Sequence, residues 1–157
     1  QKKLRSWIYD TNIKRAAPMN DEQKQLLQAA EKAADLAYAP YSKFHVGAAV
    51  LTAGGIYIGA NIETASTNLG TCAERVALAQ ALMNGQNEII GIAVHCVDTP
   101  QEDSGSSSEH DCMPCGACRQ WMAELAPDAW VITNSSENIY CLDNLLPNAF
   151  QLQKNDG

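Results

Sequence analysis

The sequence predicts an α/β sandwich, a β-sheet covered by helices. Three features carry the prediction. Residues 21–38 place Leu26, Leu27, Ala30, Ala33, Ala34 and Ala37 at helical spacing, with acidic residues leading. Residues 44–52 and 56–62 are two strand-like runs joined by Ala53-Gly54-Gly55, the pattern of an antiparallel hairpin. Beyond them, helices that open on cysteines alternate with short apolar strands. A chain of 157 residues is one domain by the usual prior and can bury a sizeable core.

Taken in order, residues 1–20 mix basic, polar and aromatic types without a period and read as an N-terminal arm preceding the domain at 21–157. The first helix is a scaffold. After the hairpin, Gly70-Thr71-Cys72-Ala73-Glu74-Arg75 leads into an Ala/Leu-rich helix that ends near Asn84-Gly85. Residues 88–97 form a β-branched run, as in a strand covered on both faces. Residues 98–113 are acidic, Ser-rich and Gly-containing, an inserted surface loop by composition. Pro114-Cys115-Gly116-Ala117-Cys118 then opens another helix, residues 130–133 are a strand, and 139–142 are a candidate last strand.

The cysteines at the two helix starts suggest a metal. Cys72 at a helix N-terminus favours the thiolate, and Cys115 and Cys118, three apart, share one helix face. Three thiolates leave one tetrahedral position of zinc open for water, as a catalytic site requires. Glu74 is then the candidate to move protons, provided the helix points end-on at the metal, since positions two apart lie about 200° apart around a helix. Three thiolates over-neutralise zinc, and Arg75, one turn from Cys72, is the compensating cation. A structural zinc or binding module is the reading from another class. It would need a fourth protein ligand, for which Cys112 is the nearby candidate.

These motifs resemble the small, homotetrameric zinc-dependent cytidine deaminases. The likeness runs from about Ala39 to Phe150. It includes Ala39-Pro40-Tyr41-Ser42-Lys43-Phe44-His45-Val46-Gly47-Ala48-Ala49, Asn61-Ile62-Glu63, both cysteine motifs and Leu145-Leu146-Pro147-x-x-Phe150. The resemblance implies a three-layer α/β/α sandwich with a mixed five-stranded sheet, and hydrolytic deamination of cytidine or deoxycytidine with release of ammonia. It implies that Asn61 and Glu63 hold the ribose, that Phe44 packs on the pyrimidine and that the Ala73 backbone reads the base edge. Taken alone, Asn61 and Glu63 at a strand end also read as solvated groups, and Phe44 as a core aromatic. Phe150 matches a residue that reaches a neighbouring subunit's site, so a homotetramer, or a homodimer, is expected.

Two positions depart from the pattern: Cys112, three before Cys115, reads as an adventitious ligand, a redox partner or, in preference, a loop thiol, and Thr67 is the other. Thr67 stands where many of these enzymes carry a Tyr shortly before the first ligand. The missing ring admits N4-substituted or otherwise modified cytidine nucleosides, including nucleoside antibiotics, as alternative substrates.

Composition narrows the partners. Eleven basic and 18 acidic side chains give a net charge of −7, which disfavours nucleic acid and leaves a small pyrimidine nucleoside as the expected partner. No apolar run approaches a membrane span. With 46% hydrophobic residues the chain has no need of disulfide staples, so the six cysteines read as thiols in a reducing, cytoplasmic setting. Cys96 and Cys141 read as inert buried thiols, Cys112 as a loop thiol, and His45 and His95 as structural histidines.

Overall fold

The computed structural model describes residues 18–97 and 112–153, so most of the expected arm at 1–20 and most of the expected 98–113 insertion lie outside the described residues. Helix α1 spans Asp21–Ala34. Its start is fixed by a reciprocal cap in which Asn20 Oδ1 accepts from Gln23 N (2.8 Å) and Gln23 Oε1 accepts from Asn20 N (3.0 Å). The helix stops four residues before the expected Tyr38. Backbone pairing ends it: Tyr38 N donates to Asn61 O, and Glu63 N donates to Tyr38 O (2.9 and 2.8 Å). Pro40 also disfavours helical geometry at Ala39.

Strand β1 (Val46–Thr52) is central. It pairs antiparallel with β2 (Gly55–Ala60) on one side and β3 (Ile89–Cys96) on the other, and β3 pairs parallel with β4 (Trp130–Thr133). The order is β2-β1-β3-β4, a mixed sheet. The hairpin turn needs glycine at Gly55, whose φ is 128°. Thr52 Oγ1 fastens it by donating to Gly55 O (3.0 Å) and accepting from Gly54 N (3.1 Å).

The sheet has four strands among the described residues, and the expected fifth is absent. Val131 and Tyr140 exchange two backbone hydrogen bonds (2.9 Å each), but the contact is one isolated bridge. Two causes are visible. β4 is only four residues long, and Leu142 enters a short helix, α4 (Leu142–Leu145), that buries Leu142 and Leu145. Cys141 precedes that helix, exposed rather than buried, and its thiol donates to Asn144 Oδ1 (3.2 Å).

Alternation along β1 builds two cores. Ala49 and Leu51 face α1 with Leu26, Ala30, Ala93 and Ile132. Ala48 and Val50 face the other way, onto Ala77 and Leu78 of α2 (Ala73–Met83) and Met122 of α3 (Gly116–Leu125). Helices thus cover both faces of the sheet in three layers. Two glycines set the spacing. A Cβ on Gly47 would overlap the backbone of Ala30 and Ala34 in α1, and one on Gly59 would lie 2.5 Å from Ala73 O and 2.9 Å from Val76 Cβ in α2. α2 is therefore seated directly on β2.

Strand directions create the site's edge. The register pairs the start of β1 with the ends of β2 and β3, through Gly47 with Ala60 and Val46 with Cys96. β4, parallel to β3, ends on the same side. α2 follows β2 and α3 follows β3, so both helices begin at this one edge.

Candidate active site

Cys72 and Cys115 are the N-cap residues of α2 and α3, and neither thiol caps its own helix. Both remain available. Cys118 lies in the first turn of α3, fully buried. Cys72 Sγ is 3.7 Å from Cys115 Sγ, Cys115 Sγ is 3.5 Å from Cys118 Sγ, and all three sulfurs lie within 4.8 Å of one another. Tetrahedral zinc with Zn–S bonds of about 2.3 Å separates its sulfurs by about 3.8 Å, so the donor set fits that ion. Among the described residues these thiols are the one group of this kind, and His45 and His95 are not part of it.

The hydrogen bond to Cys118 and the nearby guanidinium of Arg75 pull the Cys72 pKa down to about 5, while Cys118, buried and donating to that sulfur, is pushed up. Arg75 Nη2 lies 3.9 Å from Cys72 Sγ. Its Nε is buried without a hydrogen-bond partner, while the residue as a whole is half-buried.

Glu74 is 4% exposed, and burial raises its pKa to about 6, with the negative Cys72 adding to the rise. A cavity of about 770 Å³ opens in front of it. Cys72, Ala73, Glu74 and Arg75 all line that cavity, which requires α2 to point its N-terminus into it. Ala73 is the first residue of the helix, where backbone N–H groups have no partner within the helix.

Phe44, Asn61 and Glu63 also line the cavity, and Asn61 and Glu63 flank Ile62, which pairs with Thr71 next to Cys72. Asn61 acts as a clip between strand ends: its Nδ2 donates to Phe44 O (2.9 Å) and its Oδ1 accepts from Val46 N (2.8 Å). Phe44 is thereby fixed at the rim. Glu63 Oε2 accepts from Tyr41 N (2.9 Å) and Ser42 N (3.2 Å), and hydrogen bonding from Ser42 is the main cause of its lowered pKa. A carboxylate offers about four acceptor positions, so it retains capacity for a hydroxyl. Phe150 lies elsewhere, 68% exposed beside Ala123, Glu124 and Pro127, with its carbonyl held by Gln120 Nε2 (2.9 Å).

Two features that the sequence left open are defined by the structure. Cys96 and Cys112 are joined by a disulfide across 16 residues, with Cα atoms 5.6 Å apart. The expectation of six free thiols is corrected here: the end of β3 and the approach to α3 converge at the same sheet edge and bring the two sulfurs together. Arg119 is the other. Its Nε donates to Pro114 O (2.8 Å) and its Nη1 to Leu145 O (2.9 Å), bracing the ligand loop against α4. Its place directly after the Cys-x-x-Cys was the available signal.

The cytidine and deoxycytidylate deaminase zinc-binding region matches residues 20–134. A cytidine deaminase of Halalkalibacterium halodurans is 46% identical over 107 residues, 68% of this chain and 74% of that one. One of Sporosarcina psychrophila is 39% identical over 132 residues, covering 81% and 90%. The crystal structure of cytidine deaminase from Burkholderia pseudomallei superposes with a TM-score of 0.66 at 40% identity, over 84% of this chain and all of that one. With its three thiols and its fold both in place, the chain belongs to the cytidine and deoxycytidylate deaminase zinc-binding family.

Proposed function

We propose that this protein deaminates cytidine or deoxycytidine, converting nucleoside and water to the uridine and ammonia. One observation carries the reading. A buried carboxylate, Glu74, shares a cavity with Cys72 and Cys115, which together with Cys118 form a three-thiol donor set open on one side. Cys72, Cys115 and Cys118 would hold zinc, which when bound supplies the Lewis acidity that makes a water nucleophilic near neutral pH.

The chain's own groups account for the remaining steps. Glu74, poised near pH 6, takes one proton from the attacking water and passes it to N3 of the pyrimidine, then takes the remaining proton of the new C4 hydroxyl and delivers it to the departing amino group as the C4–N bond breaks. The free N–H groups at the start of α2 orient the base edge through Ala73. Phe44 covers the ring and excludes water, and Asn61 and Glu63 take the sugar hydroxyls. Arg75 offsets the negative charge of the thiolates.

Modified substrates form a second reading, supported by Thr67 lining the cavity where a ring would narrow it. N4-substituted cytidines are its simplest members. Phe150, exposed and outside its own chain's active-site cavity, is consistent with a role in a neighbouring copy's site within a homotetramer or homodimer. No helix among the described residues is long and apolar enough to cross a membrane. The Cys96–Cys112 disulfide weighs against the reducing, cytoplasmic setting expected from six free thiols.

The test is ammonia release from zinc-loaded protein given cytidine, deoxycytidine and N4-acylcytidine. Turnover of the first two supports the primary reading. Turnover of the last alone would replace it with the second.

A further inference from the structure

Cys112 stands three residues before Cys115, as Cys115 stands three before Cys118. A free thiol at that place competes for the metal, because a fourth thiolate closes a tetrahedral site that three leave open. In the structure this competitor is engaged. Cys112, 3% exposed, is bonded to Cys96, and both residues line the same cavity as Cys72 and Cys115.

The two ends of the disulfide are not equivalent. Cys96 is fixed in β3, paired with Val46, and its backbone is clipped by Asn134, whose Oδ1 accepts from Cys96 N and whose Nδ2 donates to Cys96 O (3.0 Å each). Cys112 lies outside any helix or strand and leads directly into the ligand loop. Three residues span at most about 10 Å when extended, so a released Cys112 thiol stays within reach of the ion that Cys115 binds. Cys96 stays in the strand.

We propose that the Cys96–Cys112 disulfide holds a latent fourth zinc ligand away from the metal, so that oxidation keeps the reactive coordination position open and reduction closes it. The coordination change stands on the sulfur geometry, and its effect on turnover rests on the deaminase reading. In the closing step a dithiol delivers two electrons and two protons to the disulfide and itself becomes a disulfide. Cys112 then gives its proton to solvent as its thiolate displaces a water.

The experiment uses full-length protein loaded with cobalt(II), whose sulfur-to-metal charge-transfer absorption follows the number of thiolates. A water-soluble phosphine serves as reductant. It becomes the phosphine oxide as a water supplies the oxygen and two protons. Mass spectrometry after alkylation reports whether the disulfide is intact. On reduction the charge-transfer band should grow by about one third, from three thiolates to four, and zinc-loaded turnover should fall at least tenfold. Cys96→Ala should show the four-thiolate spectrum and low turnover without reductant. Cys112→Ser should keep the three-thiolate spectrum, and its turnover should not respond to phosphine.

A purely structural disulfide would make the two variants alike, and identical spectra for them would overturn the proposal. So would an unchanged wild-type spectrum after confirmed reduction, or no disulfide in protein kept oxidised. If Cys96→Ala does not fold, the wild-type comparison decides. Should the spectra behave as expected while oxidised zinc protein leaves cytidine untouched, the coordination proposal stands and the deaminase reading fails.

Discussion

Replacing Gly59 by Ala tests whether the sheet sets the geometry of the site. The new methyl would lie 2.5 Å from Ala73 O and 2.9 Å from Val76 Cβ, where ordinary contact begins at 3.4 Å. The first turn of α2 must therefore retreat by about 0.9 Å, since the obstructing atoms are mostly backbone. That turn carries Glu74 and follows Cys72, while Cys115 and Cys118 stay with α3. A misplacement of about 1 Å at a reacting centre costs up to about 100-fold in rate, and overpacking of this kind costs about 1–3 kcal/mol of stability. In a chain of this size that stability loss corresponds to a fall in Tm of several degrees. The assay pairs kcat/KM on cytidine with zinc affinity by chelator competition and Tm by calorimetry. Gly116→Ala is the control, because a Cβ there meets nothing within 4 Å. Full activity and unchanged zinc affinity in Gly59→Ala would refute the claim that β2 seats the metal site.

Other consequences follow from single groups. Glu74 must be ionised to accept a proton, so kcat/KM should fall about tenfold per pH unit below about pH 6, as a pH profile would show. Its raised pKa also means that folding favours the protonated form: its contribution is full below its ordinary value of 4.5 and is lost as pH rises through about 6. Glu74→Gln should accordingly stabilise the metal-free protein at pH 8 by up to about 2 kcal/mol, and not at pH 4, in denaturant titrations at both pH values. Arg75→Ala removes the cation beside Cys72 and should weaken zinc binding by about 10- to 100-fold in chelator competition. Asn61→Ala leaves Phe44 O and Val46 N without their clip, which should cost about 1–3 kcal/mol and raise KM for the nucleoside.

The metal site was readable because its chemistry is local. Cys72, Glu74, Cys115 and Cys118 sit in two short motifs whose residue types leave few other uses, and helix starts follow from composition. The α/β sandwich was readable from strands alternating with helices, and its three layers were implied by the resemblance, whereas the division of Ala48 and Val50 from Ala49 and Leu51 between two cores is seen in the structure, because β1 is apolar at all four positions. What stayed hidden depends on distant parts of the chain meeting. The Tyr38 bridge that shortens α1, the turn of Leu142 into α4 in place of a fifth strand, and the Cys96–Cys112 bond all arise where separate segments converge at one sheet edge. Asn61 shows the same limit from another side. Its position at a strand end suggested a sugar ligand, but its clip between Phe44 and Val46 belongs to tertiary structure.

The most direct test of the account is ammonia release from cytidine by zinc-loaded, oxidised protein, wild type beside Glu74→Gln, with bound zinc measured in both. The account predicts steady turnover by the wild type, a loss of at least about 100-fold in the variant and equal zinc content, since in the proposed mechanism Glu74 moves protons and does not hold the metal. Zinc-replete wild-type protein that releases no ammonia, or a variant that keeps its turnover, would contradict it.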